Sequence, residues 1–224
     1  ANGRSSPEPG VRLAKVDTPY TPASLPTSAY YSVWYYFPQV VAAPHWWNVF
    51  QWKQAWQAGT TRSSDPVYTI NVGNRPDGPM YFYLYRHVGA DGRYNTAGAG
   101  PIASAPFNIA PGRWTHLECA YVWSAAWNGT VQCWQDGAEI WNKTALKTEF
   151  DERKYLDHAT NSRQWSVNNY AGLTLPETHT LYVDDAAIST VPVGHPAVAA
   201  PSPAPEPGQA GAPVTPAPPA DTGR

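Results

Sequence analysis

The chain has 224 residues and a formal net charge of −2, enough for one well-packed domain and marginal for two. With no basic run it is a poor partner for nucleic acid or an anionic membrane, and no apolar stretch approaches the ~18–20 residues that cross a bilayer. Its 11 Trp and 14 Tyr against 5 Phe and 1 Met exceed what a core needs in rings with polar handles, and suit surfaces that are apolar at one end and wet at the other.

The chain opens with Ala1-Asn2-Gly3-Arg4 and no visible signal peptide, as expected of a mature end or of a cut within a longer protein. Residues 1–28 are rich in Pro, Ser and Thr, with one apolar run at 11–16, and read as a lead-in with an edge strand. From 29 to 190 the chain reads as short strands divided by turn residues. Residues 29–37 end at Pro38. Residues 46–53 follow, then 66–74, closed by the turn signal Asn74-Arg75-Pro76-Asp77-Gly78. Residues 80–87 form the hairpin partner of 66–74. A loop of Gly, Ala and Pro covers 88–112. Residues 113–123 and 129–137 make another hairpin, which 138–142 continues past Asp136-Gly137. The polar segment 143–163 is a short helix or a long loop, and 164–170 and 180–190 complete the strands. From Val191 to Arg224 the chain is Pro, Ala and small polar residues without an aromatic. It cannot bury enough surface to fold and reads as an extended linker or tail, tethering a further module or simply a frayed end. Short strands at regular spacing predict a sandwich or barrel. The fold expected is an all-β jelly-roll sandwich of two antiparallel sheets.

The two cysteines sharpen this reading. A turn around Ala126-Trp127-Asn128-Gly129 sets a register in which Cys119 faces Cys133 and Tyr121 faces Val131. Directly opposed residues hold their Cβ atoms ~4.5–5.5 Å apart, within modest adjustment of a disulfide. A cross-strand bridge is expected, in keeping with a secreted, extracellular chain.

Side chains alternate along a strand. With Leu117, Cys119, Tyr121, Val131 and Cys133 inward, His116, Glu118, Gln132 and Trp134 fall on the other face. With Phe50 and Trp52 inward, Trp47, Gln51 and Lys53 are opposite. With Ile70, Val72, Met80, Phe82 and Leu84 inward, Thr69, Asn71, Tyr81, Tyr83, Tyr85 and His87 point outward. Read as one face of one sheet, these side chains make a groove of rings, amides and a few charges, and an exposed patch of that kind marks a binding site. Sugars present C–H faces for Trp47, Tyr83, Tyr85 and Trp134 to stack on and hydroxyls for Gln51, Asn71 and Gln132 to bond, so the partner expected is a polysaccharide. The alternative is that the loop 88–112 or the segment 143–163 covers this face as ordinary core.

Five stretches carry a family resemblance. They are Tyr30-Tyr31-Ser32-Val33-Trp34-Tyr35-Tyr36-Phe37-Pro38, Trp47-Asn48-Val49-Phe50-Gln51-Trp52-Lys53, Pro111-Gly112-Arg113-Trp114, Val131-Gln132-Cys133-Trp134-Gln135-Asp136-Gly137 and Leu181-Tyr182-Val183-Asp184-Asp185. Together they resemble the heparin-lyase-like and alginate-lyase-like polysaccharide lyases of the concanavalin A-like lectin/glucanase group. The resemblance covers residues 29–190. It implies two antiparallel sheets with a polysaccharide in the concave groove. It also implies cleavage of uronic-acid polymers by β-elimination, often with Gln-x-His on a central strand and a Tyr on another. Gln51 matches the Gln, and Lys53 stands where the His would be. Tyr83 or Tyr85 would be the tyrosine, and His87 or His116 would replace the His. Jelly rolls of this group often bind a structural Ca²⁺, which makes Asp185 a candidate ligand; the alternative is a solvated Asp184-Asp185 pair.

Other chemistries find little support. There is no Gly-x-Ser-x-Gly, His-Glu-x-x-His, P-loop or dinucleotide fingerprint. A glycosidase needs two carboxylates ~5–9.5 Å apart, and Glu118 alone is placed on the groove. Asn128-Gly129-Thr130 and Asn142-Lys143-Thr144 match the glycosylation sequon, although Asn-Gly at a hairpin tip also serves the turn. Three readings stand: an extracellular carbohydrate-binding domain, a lyase acting on an acidic glycan, and an assembly protein completed by a neighbour's strand.

Overall fold

A computed structural model describes residues 10–17, 25–58, 61–152, 155, 163–172 and 179–194. Among the described residues eleven strands follow in chain order: β1 (Gly10–Asp17), β2 (Ser28–Tyr36), β3 (Trp47–Ala58), β4 (Thr61–Asn74), β5 (Met80–Arg86), β6 (Gly100–Ser104), β7 (Trp114–Val122), β8 (Gly129–Gln135), β9 (Ala138–Leu146), β10 (Arg163–Ala171) and β11 (Tyr182–Ser189). They form a six-stranded sheet, β1-β10-β3-β4-β5-β6, and a five-stranded sheet, β11-β2-β7-β8-β9, with every pairing antiparallel. This is the expected all-β jelly-roll sandwich.

The inner faces meet in one aromatic core. Tyr31, Val33 and Tyr35 of β2 and Leu117, Cys119 and Tyr121 of β7 pack against Phe50, Trp52, Ile70, Val72, Phe82, Leu84 and Trp165 of the other sheet, all of them buried. Trp52 stacks on Tyr121 across the sandwich, with centroids 4.3 Å apart. Removing so many large side chains from water is the main force holding the sheets together.

The expected register between β7 and β8 is observed: Cys119 opposes Cys133 and Tyr121 opposes Val131, and the two cysteines form a disulfide. The β8–β9 turn uses Asp136 and Gly137, both at positive φ (52° and 82°), which is why Asp-Gly fits a two-residue hairpin.

Elsewhere pairing overrides local signals. β3 and β4 run past the expected ends to Ala58 and from Thr61, with Gln54 opposite Asp65 and Ala55 opposite Ser64. β6 lies inside the expected loop 88–112 and pairs with β5. β9 reaches Leu146, into the segment 143–163; residues 147–152 follow without regular structure, and most of the remainder lies outside the described residues. The expected edge strand at 11–16 is β1. It pairs with β10 and fills the sheet edge that the assembly reading left for a neighbour's strand. Residues 191–194 are the only described part of the expected Pro/Ala-rich tail.

Candidate functional site

The outer face of the six-stranded sheet carries two rows of polar side chains across its strands. In the first, Ser166, Gln51, Thr69 and Tyr85 are directly opposed on β10, β3, β4 and β5. In the second, Asn48, Asn71, Tyr83 and Ser104 are opposed on β3, β4, β5 and β6. Lys53 and Tyr81 extend the face at opposite ends, Lys53 opposite Pro66 and Tyr81 opposite Gly73.

These groups hold one another. The Gln51 Nε2 amide donates to Ser166 Oγ at 3.0 Å. Asn48 Nδ2 donates to Asn71 Oδ1 at 3.3 Å, Asn71 Nδ2 donates to Thr69 Oγ1 at 3.2 Å, and Asn168 Nδ2 donates to Asn48 Oδ1. Gln51, Asn48, Thr69, Asn71, Ser166 and Asn168 are buried although they face outward from the sandwich. Tyr81, Tyr83, Tyr85, His87 and Lys53 are half-buried around them. Such a network fixes the direction of each amide before any ligand arrives.

His87 is the centre of the titratable groups. Its Nε2 lies 3.2 Å from Thr69 Oγ1 and its Nδ1 3.2 Å from Asn95 Oδ1. The Tyr85 ring is 4.6 Å away, and the nearly parallel Tyr94 ring is 6.1 Å away. Burial lowers its pKa to about 4, against the opposing effect of the Asn95 bond, so the ring is neutral near pH 7. Burial, helped by the neighbouring Tyr81 and Tyr85, raises the Tyr83 phenol to about 12, so it stays protonated. The face thus offers a neutral imidazole, the protonated Tyr83 phenol, the Lys53 side chain and oriented amides.

The sequence reading joined residues of two sheets into one groove, and the structure separates them. Gln51, Lys53, Asn71, Tyr81, Tyr83, Tyr85 and His87 share the six-stranded face. His116, Glu118, Gln132 and Trp134 lie on the opposite outer face, on β7 and β8 of the five-stranded sheet. There His116 is buried against Trp34 (4.6 Å) with Nε2 2.7 Å from Ser32 Oγ. Glu118 is fully buried and accepts from the Val193 and Gly194 amides at 2.6 and 2.9 Å. Gln132 donates to Glu139 at 2.5 Å, and Trp134 is buried near Tyr30. None of the four reaches the network around His87.

Trp47 is a second correction. A bulge between Asn48 and Phe50 inserts Val49 and resets the alternation, so Trp47 points inward opposite Val72 and Asn48 points outward. The Trp47 ring is buried, edge-on to Phe37, and donates from Nε1 to Asn169 at 2.8 Å. Asp185 sits at positive φ (46°) beside a bulge in β11 and is exposed. Among the described residues no group of three or more His, Cys, Asp or Glu side chains converges to hold a metal ion.

The sequence reading missed Asn48, Ser166, Asn168 and Asn95, which complete the network, and Arg75, whose guanidinium lies 4.4 Å from the centre of the Tyr81 ring. The polar alternation of Gln164, Ser166 and Asn168 was the available signal on β10. Nothing local marks Asn95, which comes to His87 through the 88–99 loop.

No protein-family model matches the chain, and no curated protein matches its sequence. Solved structures similar in fold include two lyases. An endo-β-1,4-glucuronan lyase from the fungus Trichoderma reesei gives a TM-score of 0.54 at 17% identity, over 73% of this chain and 68% of that one. An alginate lyase from Chlorella virus gives 0.52 at 10% identity, over 74% and 72%. The chain therefore shares the jelly-roll fold of polysaccharide lyases.

Proposed function

We propose that the outer face of the six-stranded sheet binds a uronic-acid polysaccharide outside the cell and cleaves it by β-elimination. The observation that carries this reading is the neutral His87 held by Thr69 and Asn95 beside Tyr85, on the face that also presents Gln51 and Lys53. His87 takes the proton from C5 of the uronate. The electron pair forms the C4–C5 double bond, the C4–O4 bond breaks, and the phenol of Tyr85 or Tyr83 gives its proton to the departing oxygen. Lys53 and the Gln51 amide offset the charge that builds on the carboxylate. A bound uronate also brings a negative charge toward His87, which raises its pKa from about 4 toward neutrality and makes it a better base. The disulfide supports an oxidising, extracellular setting.

The test is incubation with glucuronan, alginate, heparin and hyaluronan while following the ultraviolet absorbance of the unsaturated uronate product. Absorbance should rise with one of them, and His87→Ala and one of the pair Tyr85→Phe and Tyr83→Phe should each lower the rate by about 10²–10⁴-fold. Flat absorbance with all four glycans overturns the lyase reading. The amide network favours a second reading, a non-catalytic binding domain, because oriented amides suit hydroxyl recognition without chemistry. Retained affinity for one of these glycans with no product would decide for it.

A further inference from the structure

The outer face of the five-stranded sheet carries aromatic rings that the proposed chemistry does not use. Tyr182, Tyr36 and Trp114 are directly opposed on β11, β2 and β7. Their centroids are 5.8 Å apart from Tyr182 to Tyr36 and 5.5 Å from Tyr36 to Trp114. One register step away, Trp34 stacks on His116. Tyr182 is 53% exposed, Trp114 42% and Trp34 36%, whereas most Trp and Tyr of the chain's core are fully buried. A core has no use for such a row, and rings gathered on a rim-polar surface mark a contact site.

We propose that this row is a second glycan-binding surface, separate from the His87 face, and that it takes a single chain of a neutral polysaccharide. Three features select that occupant. The rings are Tyr and Trp, which combine an apolar face with a hydrogen-bonding edge, as the C–H faces and hydroxyls of a pyranose require. Adjacent strands set the rings at a spacing comparable to one sugar unit. The interplanar angles, 70° and 54°, make the surface corrugated, which fits one twisted chain better than the flat face of a crystalline fibre.

Charge separates this surface from a polyuronate site. Exposed Asp184 lies directly opposite Trp34, and exposed Asp185 follows it. The Arg113 guanidinium, next in the chain to Trp114, is held by Asp136 at 2.6 Å. Carboxylates beside the rings repel a polyanion and leave a neutral chain unopposed. The two outer faces thus divide the work: one for a charged glycan, the other for holding the protein to a neutral one.

The test is affinity electrophoresis of the full chain in gels containing mixed-linkage β-glucan, xylan, galactomannan or glucuronan. At least one neutral glycan should retard the protein. Trp114→Ala with Tyr182→Ala should weaken that binding by about tenfold, and Tyr83→Ala should leave it unchanged. Both substituted rings are exposed, so the variant should keep its melting temperature. Retardation by none of the neutral glycans would overturn the proposal, as would unaltered binding in the double variant. A concentration-dependent dimer that the double variant abolishes would also overturn it, by assigning the rings to a second copy. The outcome is independent of the eliminase assay, because that assay reads the His87 face alone.

Discussion

The two outer faces of this sandwich are built from similar residue types and behave differently. On the six-stranded sheet, buried polar side chains bond one another from β10 across β3 to β4, and Thr69 of β4 meets His87. On the five-stranded sheet, a row of rings stays exposed, and the fully buried carboxylate of Glu118 holds the backbone of residues 193–194. A locked polar network suits chemistry, because its dipoles need no reorganisation when charge develops. A row of tilted rings fixes no reacting atom and suits adhesion. Aromatic content alone therefore does not tell the proposed reaction site from the proposed adhesion surface; the hydrogen bonds around the rings do.

Changes on one face should leave the other intact. The largest stability effect is expected from Cys119→Ala with Cys133→Ala. The bridge spans 14 residues, and opening a loop of that size costs about 3 kcal/mol, to be read by denaturant unfolding. Binding on the His87 face should survive at temperatures where the variant remains folded, because the bridge lies in the other sheet. A link between the two would show that the faces are not separable.

Glu118→Ala comes next. It removes an acceptor from two backbone amides, each charge-assisted bond worth about 1.5–3 kcal/mol at most, less what water restores when residues 191–194 lift off the sheet. A loss of about 2 kcal/mol is expected, with faster proteolysis at 191–194 and unchanged elimination kinetics.

The third test uses pH. His87 titrates near 4 when folded and near 6.5 when unfolded, so between those values the unfolded chain binds more protons and stability rises with pH. The contribution is fully present above about 6.5 and is lost as pH falls toward 4. Melting temperature measured across this window should show a shallower slope in His87→Gln. Equal slopes would mean that His87 is not buried as a neutral ring.

The smallest effect is expected from Gly73→Ala. A Cβ there would lie 3.3 Å from the Tyr81 ring, so the phenol must shift slightly. Stability should stay within about 0.5 kcal/mol of the parent chain, while affinity for acidic oligosaccharides falls modestly in titration calorimetry.

Much of this was legible in the sequence. Asn74-Arg75-Pro76-Asp77-Gly78 and Asp136-Gly137 placed two hairpins, and the Cys119–Cys133 register followed from turn position and strand period. Alternation puts Gln51, Asn71, Tyr83, Tyr85 and His87 on one face of the sheet, and the strand register does the same. The row of Tyr36, Trp114 and Tyr182 had a signal as well, in the alternation of Tyr30, Ser32, Trp34 and Tyr36 against Tyr31, Val33 and Tyr35, which was not carried across to β7 and β11. Trp47 was misplaced because a bulge adds one residue to the count, and a bulge is a property of the pair of strands, not of either one.

The amino-acid sequence by itself determined most of the strands, though not β6 or the far ends of β3, β4 and β9, as well as where the tight hairpins turn and that Cys119 would meet Cys133. These depend on backbone preferences and on a side-chain period of two, both of which act within a few residues. Which sheet each strand joins was decided only by tertiary structure. Alternation tells inside from outside and is silent on which outside, so His116, Glu118, Gln132 and Trp134 could be told from the core but not from the face that holds His87.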